Sequence, residues 1–236
     1  HGLFGSGRNW RAIARNISSD RQVHVVDMRN HGESFWNDDN SYESMAEDLK
    51  KIITSFKRPV DVLGHSMGGK ASMILAINNP DLVNRLLIVD IAPTKYQHDQ
   101  SINISIMKNL PIDDLTRRSD ADLILKKTLP NDALRAFFLQ SLIISPNGNS
   151  WQLNLDALDK NMDKIIGFPD VSGQFNGMTF FLKGELSNYI SDKDLPTINL
   201  LFPKNKIITI KNAGHWVHAE ATRDFLISVK EYLSGS

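Results

Sequence analysis

Cysteine is missing from all 236 residues. That absence excludes disulfides, a thiolate nucleophile and any cysteine-ligated metal, and it leaves the redox compartment open. There is no surplus of charge either: Lys and Arg total 27, as do Asp and Glu, so no overall field draws the chain to nucleic acid or to an anionic membrane surface. No apolar run approaches the roughly 20 residues of a membrane-spanning helix, and no signal peptide is expected. Internal repeats and low-complexity tracts are absent. No histidine or carboxylate pair has ligand spacing on one predicted element, so no metal is expected, and nothing calls for a cofactor. These exclusions favour a small, neutral or uncharged partner.

What is present suffices for one sizeable core, with 41% of residues hydrophobic. His1 is not an initiator methionine, and "HGLFGSG" reads as a loop with no strand before it, so residues upstream of it are expected. "NWRAIARNI" has helical spacing, "QVHVVDM" is a β-branched run suited to a buried strand, and "SYESMAEDLKKIITSF" is an amphipathic helix with Ser41 or Ser44 as N-cap. Strand "PVDVLG", helix "GKASMILAINNP" and strand "RLLIVDIAP" follow. From Tyr96 to Val171 the pattern turns helical, without a convincing strand. The strand–helix rhythm returns with "MTFFLKG", "DLPTINLLFP", "KIITIKNAGH" and a last helix, "ATRDFLISVKEYL". Alternating strands and helices predict an α/β fold with a mostly parallel sheet covered on both faces. The expected division is a core of residues 1–95 and 172–236 with a helical cap at 96–171.

The stretch "GHSMGG" sits where a strand is predicted to become a helix. A turn tight enough to project Ser66 from the sheet edge leaves no room for side chains two positions away, and Gly64 and Gly68 have none. The helix N-terminus then faces the same spot, where free N–H groups, Met67 among them, can hold an oxyanion. The bland reading of the same residues is a glycine-rich turn with a capping serine. A serine hydroxyl needs a base. His215 in "NAGHWVHAE" follows the last predicted strand on a loop that reaches back across the strand ends, while His218 falls in the helical start. The other histidines have structural readings, His65 packing behind the serine.

A nucleotide-binding reading competes, since "GLFGSG" with Asp27 and the pair Tyr189 and Lys193 imitate dehydrogenase motifs. The glycines are spaced G-x-x-G-x-G, and the Tyr–Lys pair follows a glycine loop instead of lying on a long helix. A non-catalytic binding protein built on the same fold is the other rival. It leaves unexplained why Ser66, His215 and an acid should meet at one sheet edge.

Together "HGLFGSGRNW", "VVDMRNHGES", "VLGHSMGGKASM", "VDIAP" and "AGHWVHAE" resemble the α/β-hydrolase superfamily. Within it the chain is similar to the small serine esterases related to bacterial acyl esterases, mitochondrial abhydrolase-domain proteins and yeast alcohol acetyltransferases. The resemblance implies strands ahead of His1 and an oxyanion loop at "HGLFG", in which the N–H of Leu3 partners that of Met67, with Phe4 the neighbouring candidate. It places the commonest acid position three residues after Gly184, where this chain has Ser187. Glu185, Asp192 and Asp194 lie nearby, but Asp90, ending "LLIVD", matches the arrangement of the narrower esterase group. An ionised Asp ending a buried strand needs a partner such as His215. The expected function is cleavage of short to medium acyl esters, with thioesters or acyl transfer to an alcohol as alternatives on the same site. Substrate contacts are expected from Phe4, His65, Trp216 and Phe138, and acyl-pocket candidates in the insertion are Met107, Leu125, Phe137, Phe138 and Trp151. The expected protein is a cytoplasmic monomer or homodimer, or a mitochondrial matrix protein if eukaryotic.

Overall fold

The computed structural model describes residues 1–235. Its first half follows the expected alternation: α1 (Arg11–Ile17), α2 (Tyr42–Ser55), β1 (Val60–His65), α3 (Met67–Asn78) and β2 (Val83–Val89). Ser41 caps α2, its hydroxyl accepting the Ser44 N–H at 3.4 Å. Next come α4 (Ser101–Lys108), α5 (Arg118–Leu125), α6 (Asp132–Leu139), β3 (Leu142–Ile143), β4 (Ser150–Trp151), α7 (Leu155–Lys160) and α8 (Met162–Ile166). The chain then returns through β5 (Met178–Gly184), α9 (Leu195–Leu201), β6 (Asn205–Ile210), α10 (Val217–Glu220) and α11 (Thr222–Ser234).

Four strands make the main sheet in the order β1-β2-β5-β6, every pair parallel. Side chains alternate across a strand, so neighbouring residues of β2 serve different cores. Leu86 and Ile88 pack with α2 and α3 residues such as Met45, Ile74 and Leu75, whereas Leu87 and Val89 pack with Trp10, Ile13, Phe225 and Val229 on the opposite face. Burial on both faces explains why β2 reads as an unbroken apolar run. Every residue of α3 from Met67 to Ile77 is buried, which accounts for its lack of a polar face. The helices from α4 to α8 gather around a third cluster that includes Ile104, Met107, Leu125, Phe138 and Trp151, and Phe4 from the N-terminal loop joins it.

Two expectations need correction. Gln22–Met28 forms no ladder with another strand. Val23–Val26 and β1 both line a groove of about 620 Å³, and a β-branched run becomes a strand only when its backbone meets a partner. The segment between the two halves of the sheet, expected to lack strands, contains the two-residue antiparallel hairpin of β3 and β4, too short to leave a periodic signal. Among the described residues no helix is long and apolar enough to cross a membrane.

The double-sided burial of the sheet sets a contrast within one strand. Phe181→Ala, at a site with 0% exposure, is expected to cost about 3–5 kcal/mol of unfolding free energy. Met178→Ala, 50% exposed on the same strand, should stay within about 0.5 kcal/mol of the parent. Urea denaturation followed by tryptophan fluorescence measures both.

Candidate active site

Parallel strands bring their C-terminal ends to one edge of a sheet, and the register decides which residues meet there. His65 is paired with Val89, so the next residues, Ser66 and Asp90, leave adjacent strands side by side. Both take left-handed backbone conformations, with φ of 52° and 49°, strain of about 1–3 kcal/mol apiece for residues bearing a Cβ. Ser66 is held there by hydrogen bonds from its N–H to Val89 O and from Lys70 N–H to its own carbonyl, each 3.1 Å. The glycines make the turn feasible. A Cβ on Gly64 would overlap the Gly68 carbonyl oxygen, and one on Gly68 would stand 2.6 Å from the His1 carbonyl oxygen.

His215 lies in the loop after β6. Its Nε2 is 3.0 Å from Ser66 Oγ and its Nδ1 is 2.8 Å from Asp90 Oδ2. A carboxylate only accepts, so Nδ1 carries the proton and Nε2 is left to accept from the serine. Asp90 is fully buried and takes two further donors: Gly184 N–H reaches Oδ1 at 3.0 Å, and the Ser187 hydroxyl donates to Oδ2. A buried carboxylate needs this degree of satisfaction. The imidazole is fixed from two more directions. Tyr189 stacks on it with ring centroids 3.8 Å apart, and the His65 Nε2–H donates to the His215 carbonyl at 2.9 Å. His65 lines the cavity, yet it is 3% exposed, and burial first, then His215 and His218, hold its pKa well below the ordinary imidazole value. It therefore braces the His215 loop as a neutral donor.

The sequence-level rivals fall elsewhere. His218 is buried and stacked on Trp10 at 4.2 Å, its Nδ1 without a partner, and burial lowers its pKa to about 4. Glu185 accepts the Asn212 N–H and Asp194 accepts the Ser191 N–H and hydroxyl, while Asp192 sits in the same short turn. None of the three bonds to His215. Asp27 accepts the N–H groups of Gly7 and Glu33, one on each oxygen, and so ties the N-terminal loop to the turn after it.

Around Ser66 the backbone donors sort by what they already hold. Gly68 N–H goes to His1 O, and Phe4 N–H goes to His31 Nε2 at 3.2 Å. Among the described residues, Leu3 and Met67 N–H have no acceptor. Met67 opens α3, so its N–H stands at the positive end of that helix. The loop bearing Leu3 is pinned by its neighbours. His31 is wholly buried, and burial lowers its pKa to about 4, so it stays a neutral acceptor whose Nδ1–H donates to Arg29 O. Phe4 meets Phe138 edge to face at 5.3 Å.

A cavity of about 340 Å³ opens over Ser66, walled by Leu3, Phe4, Leu134, Phe137, Phe138 and Trp216. Trp216 leans on Phe137 at 5.6 Å. Met107, Leu125 and Trp151 pack inside the helical layer and do not line the cavity. Three residues at the site escaped sequence reasoning. Ser187 reads as an acid position without an acid, Tyr189 enters only through a dehydrogenase-like spacing that its context excludes, and His98 has only a structural reading. In the structure His98 lines the cavity with its Nε2 2.9 Å from Tyr189 Oη. Among the described residues no cluster of three or more His, Cys, Asp or Glu is placed to hold a metal ion.

Residues 1–222 match the family model of the alpha/beta hydrolase fold. The chain belongs to that family. It is 38% identical over 243 residues to the sn-1-specific diacylglycerol lipase ABHD11 of Mus musculus, covering 99% of this chain and 79% of that protein. It is 32% identical over 240 residues to the esterase YbfF of Escherichia coli, covering 99% of this chain and 91% of that one. A solved structure of a marine microorganism esterase superposes on this hydrolase with a TM-score of 0.93 at 39% identity, covering 98% of this chain and 92% of that chain.

The Ser187 hydroxyl leads to a test. Ser187→Ala removes one of three donors to a buried carboxylate, so ester turnover is expected to fall about tenfold with KM unchanged, and Ser187→Thr should restore it. Steady-state kinetics on one p-nitrophenyl ester separates kcat from KM.

Proposed function

We propose that the chain is a serine esterase that cleaves short to medium acyl esters through an acyl-enzyme at Ser66. The observation that carries this reading is the unbroken relay of 3.0 Å from Ser66 Oγ to His215 Nε2 and 2.8 Å from His215 Nδ1 to Asp90 Oδ2. Ser66 Oγ attacks the ester carbonyl as its proton passes to His215 Nε2. The carbonyl oxygen gains negative charge and is met by the N–H groups of Leu3 and Met67. The intermediate collapses, and the leaving alkoxide takes the proton from Nε2. Water then enters and attacks the acyl-serine as its proton passes to His215 Nε2; the second intermediate collapses, the acyl–Oγ bond breaks, Nε2 returns the proton to Ser66 Oγ and the carboxylic acid departs. Asp90 stays ionised throughout, holding the imidazole in one tautomer.

The cavity supports the substrate class. Its wall over Ser66 is apolar and its volume, about 340 Å³, lies at the small end of ligand pockets. Uncharged acyl groups fit it better than peptides or phosphates. The mouse relative's activity on diacylglycerol supports acylglycerols as one natural form of such esters. In this reading residues 96–171 act as a cap over a core of 1–95 and 172–236. The helices α4 to α8 within that segment supply Phe137 and Phe138 to the acyl side.

Substituting the two histidines tests the assignment. Ser66→Ala and His215→Ala should each lower kcat by about a thousandfold or more, and Asp90→Asn by a similar factor. His218→Ala should stay within about tenfold of the parent, since it removes ring packing and no reacting group. A Ser66→Ala variant with a few per cent of parental activity, or a His218 effect larger than that of His215, contradicts the reading.

A further inference from the structure

Lys70 is 1% exposed, a long cationic side chain wholly inside the protein. An ammonium in such a place normally has a carboxylate beside it. Here it has three backbone carbonyls instead: Thr94 O at 2.8 Å, Ile166 O at 3.0 Å and Gly167 O at 2.5 Å. The faces of Tyr96 and Tyr42 complete its surroundings, with ring centroids 4.7 and 5.6 Å from Nζ.

The three carbonyls have one thing in common. Thr94 lies on the segment that leaves β2 for α4, and Ile166 and Gly167 lie on the segment that returns from α8 towards β5. The ammonium therefore bridges both connections between the sheet and the helical layer. Two more bonds secure the same junction, from Tyr96 N–H to Ile166 O at 2.9 Å and from Tyr42 Oη to Ile165 O at 2.6 Å. Tyr42, Lys70, Tyr96, Ile165 and Ile166 all line the cavity that contains Ser66. Lys70 also follows Ser66 by one turn of α3. One helix thus carries the nucleophile, the Met67 N–H and this bridge.

We propose that Lys70 is a positioning residue whose ammonium clamps both roots of the cap to the nucleophile helix and thereby sets the inner end of the acyl pocket. The proposal rests on the esterase reading above. Three protons match three carbonyls, whereas a neutral amine has only two N–H groups and turns a lone pair towards the third. Loss of the charge frees one root, and the wall formed by Tyr96, Ile165 and Ile166 moves. An acetyl group ends beside Ser66, one helical turn or about 5.4 Å short of Lys70. A longer acyl chain reaches the wall that the clamp holds.

Protonation should therefore tune chain-length preference. Burial draws the Lys70 pKa down to about 7, so the clamp is charged in mild acid and opens as pH rises. The groups facing it do not change charge in the same way. Tyr42 and Tyr96 are pushed up, chiefly by burial, and both hydroxyls are engaged, Tyr96 with Tyr189 O and the Ala92 N–H. Asp90 and Asp194 act on Tyr96 from the sheet edge and the turn before α9. His98 is lowered by burial, then by His215 and Lys70, so it is neutral where the clamp opens.

The test is the ratio of kcat/KM for p-nitrophenyl octanoate to that for p-nitrophenyl acetate, measured from pH 6 to pH 10. Both esters react at the same Ser66 and His215, so effects on the reacting groups cancel in the ratio. In the parent the ratio should fall about tenfold across the range, mainly through the octanoate KM. In Lys70→Met it should be low and independent of pH. A parental ratio that does not change with pH, or a Lys70→Met enzyme with the parental ratio and pH profile, overturns the clamp. The pH series on the parent decides the matter even if the variant does not fold. Acetate hydrolysis that survives Ser66→Ala overturns the esterase reading itself, and the clamp with it.

Discussion

Everything at the sheet edge depends on how one buried charge is satisfied. Asp90 has no exposed surface, and its carboxylate draws donors from three places: Gly184 at the end of β5, Ser187 in the loop beyond it, and His215 in the loop after β6. Removing any of these leaves a carboxylate oxygen short of partners where water cannot replace them. The same requirement places His215, because an imidazole that donates Nδ1–H to Asp90 from that loop turns Nε2 towards Ser66. The left-handed backbone at Asp90 and Ser66 is held by the surrounding sheet, with Asp90 N–H bonded to Leu182 O and Ser66 N–H to Val89 O.

Much of this was legible in the sequence, for reasons that differ residue by residue. Gly64 and Gly68 flank Ser66 because no Cβ fits there, so sterics wrote the turn directly into a local pattern. His215 was found because it follows a strand whose end must lie at the same edge. Asp90 required more: a strand-terminal acid is ambiguous alone, and the choice leaned on family resemblance. Ser187 was misread in function though not in place. Its position looks vacant because a serine cannot neutralise an imidazolium, but its hydroxyl donates to Asp90, which ends the neighbouring strand and bonds the same imidazole. Which strands lie side by side is a matter of tertiary register that no local pattern carries. Gln22–Met28 is the converse case, where a β-branched pattern was present but the ladder partner that makes a strand was not. Lys70 read only as one residue of an apolar helix, since its three carbonyl partners come from segments 24 to 97 residues away.

Helix α3 links the chemistry to the shape of the pocket. Its first turn carries Ser66 and the Met67 N–H, and the next residue around, Lys70, holds the connections to the helical layer. The opposite wall is tied to the N-terminal loop, since Phe4 packs against Phe138 and its N–H is held by His31. Loop and layer thus share a core cluster. In the proposed reading, a substrate pressing on that wall presses on the elements that hold Leu3 and Met67, which favours discrimination by fit at the moment of reaction.

The central claim is that Ser66, His215 and the N–H groups of Leu3 and Met67 form one acyl-transfer site. The most direct measurement is a crystal structure of the protein after reaction with an alkyl phosphonate, a tetrahedral mimic of the reaction intermediate. The account predicts a covalent bond to Ser66 Oγ, a phosphoryl oxygen within hydrogen-bond distance of both Leu3 N and Met67 N, and the alkyl chain along Phe137 and Phe138. An adduct on another residue, or an oxygen directed away from those two N–H groups, would contradict it.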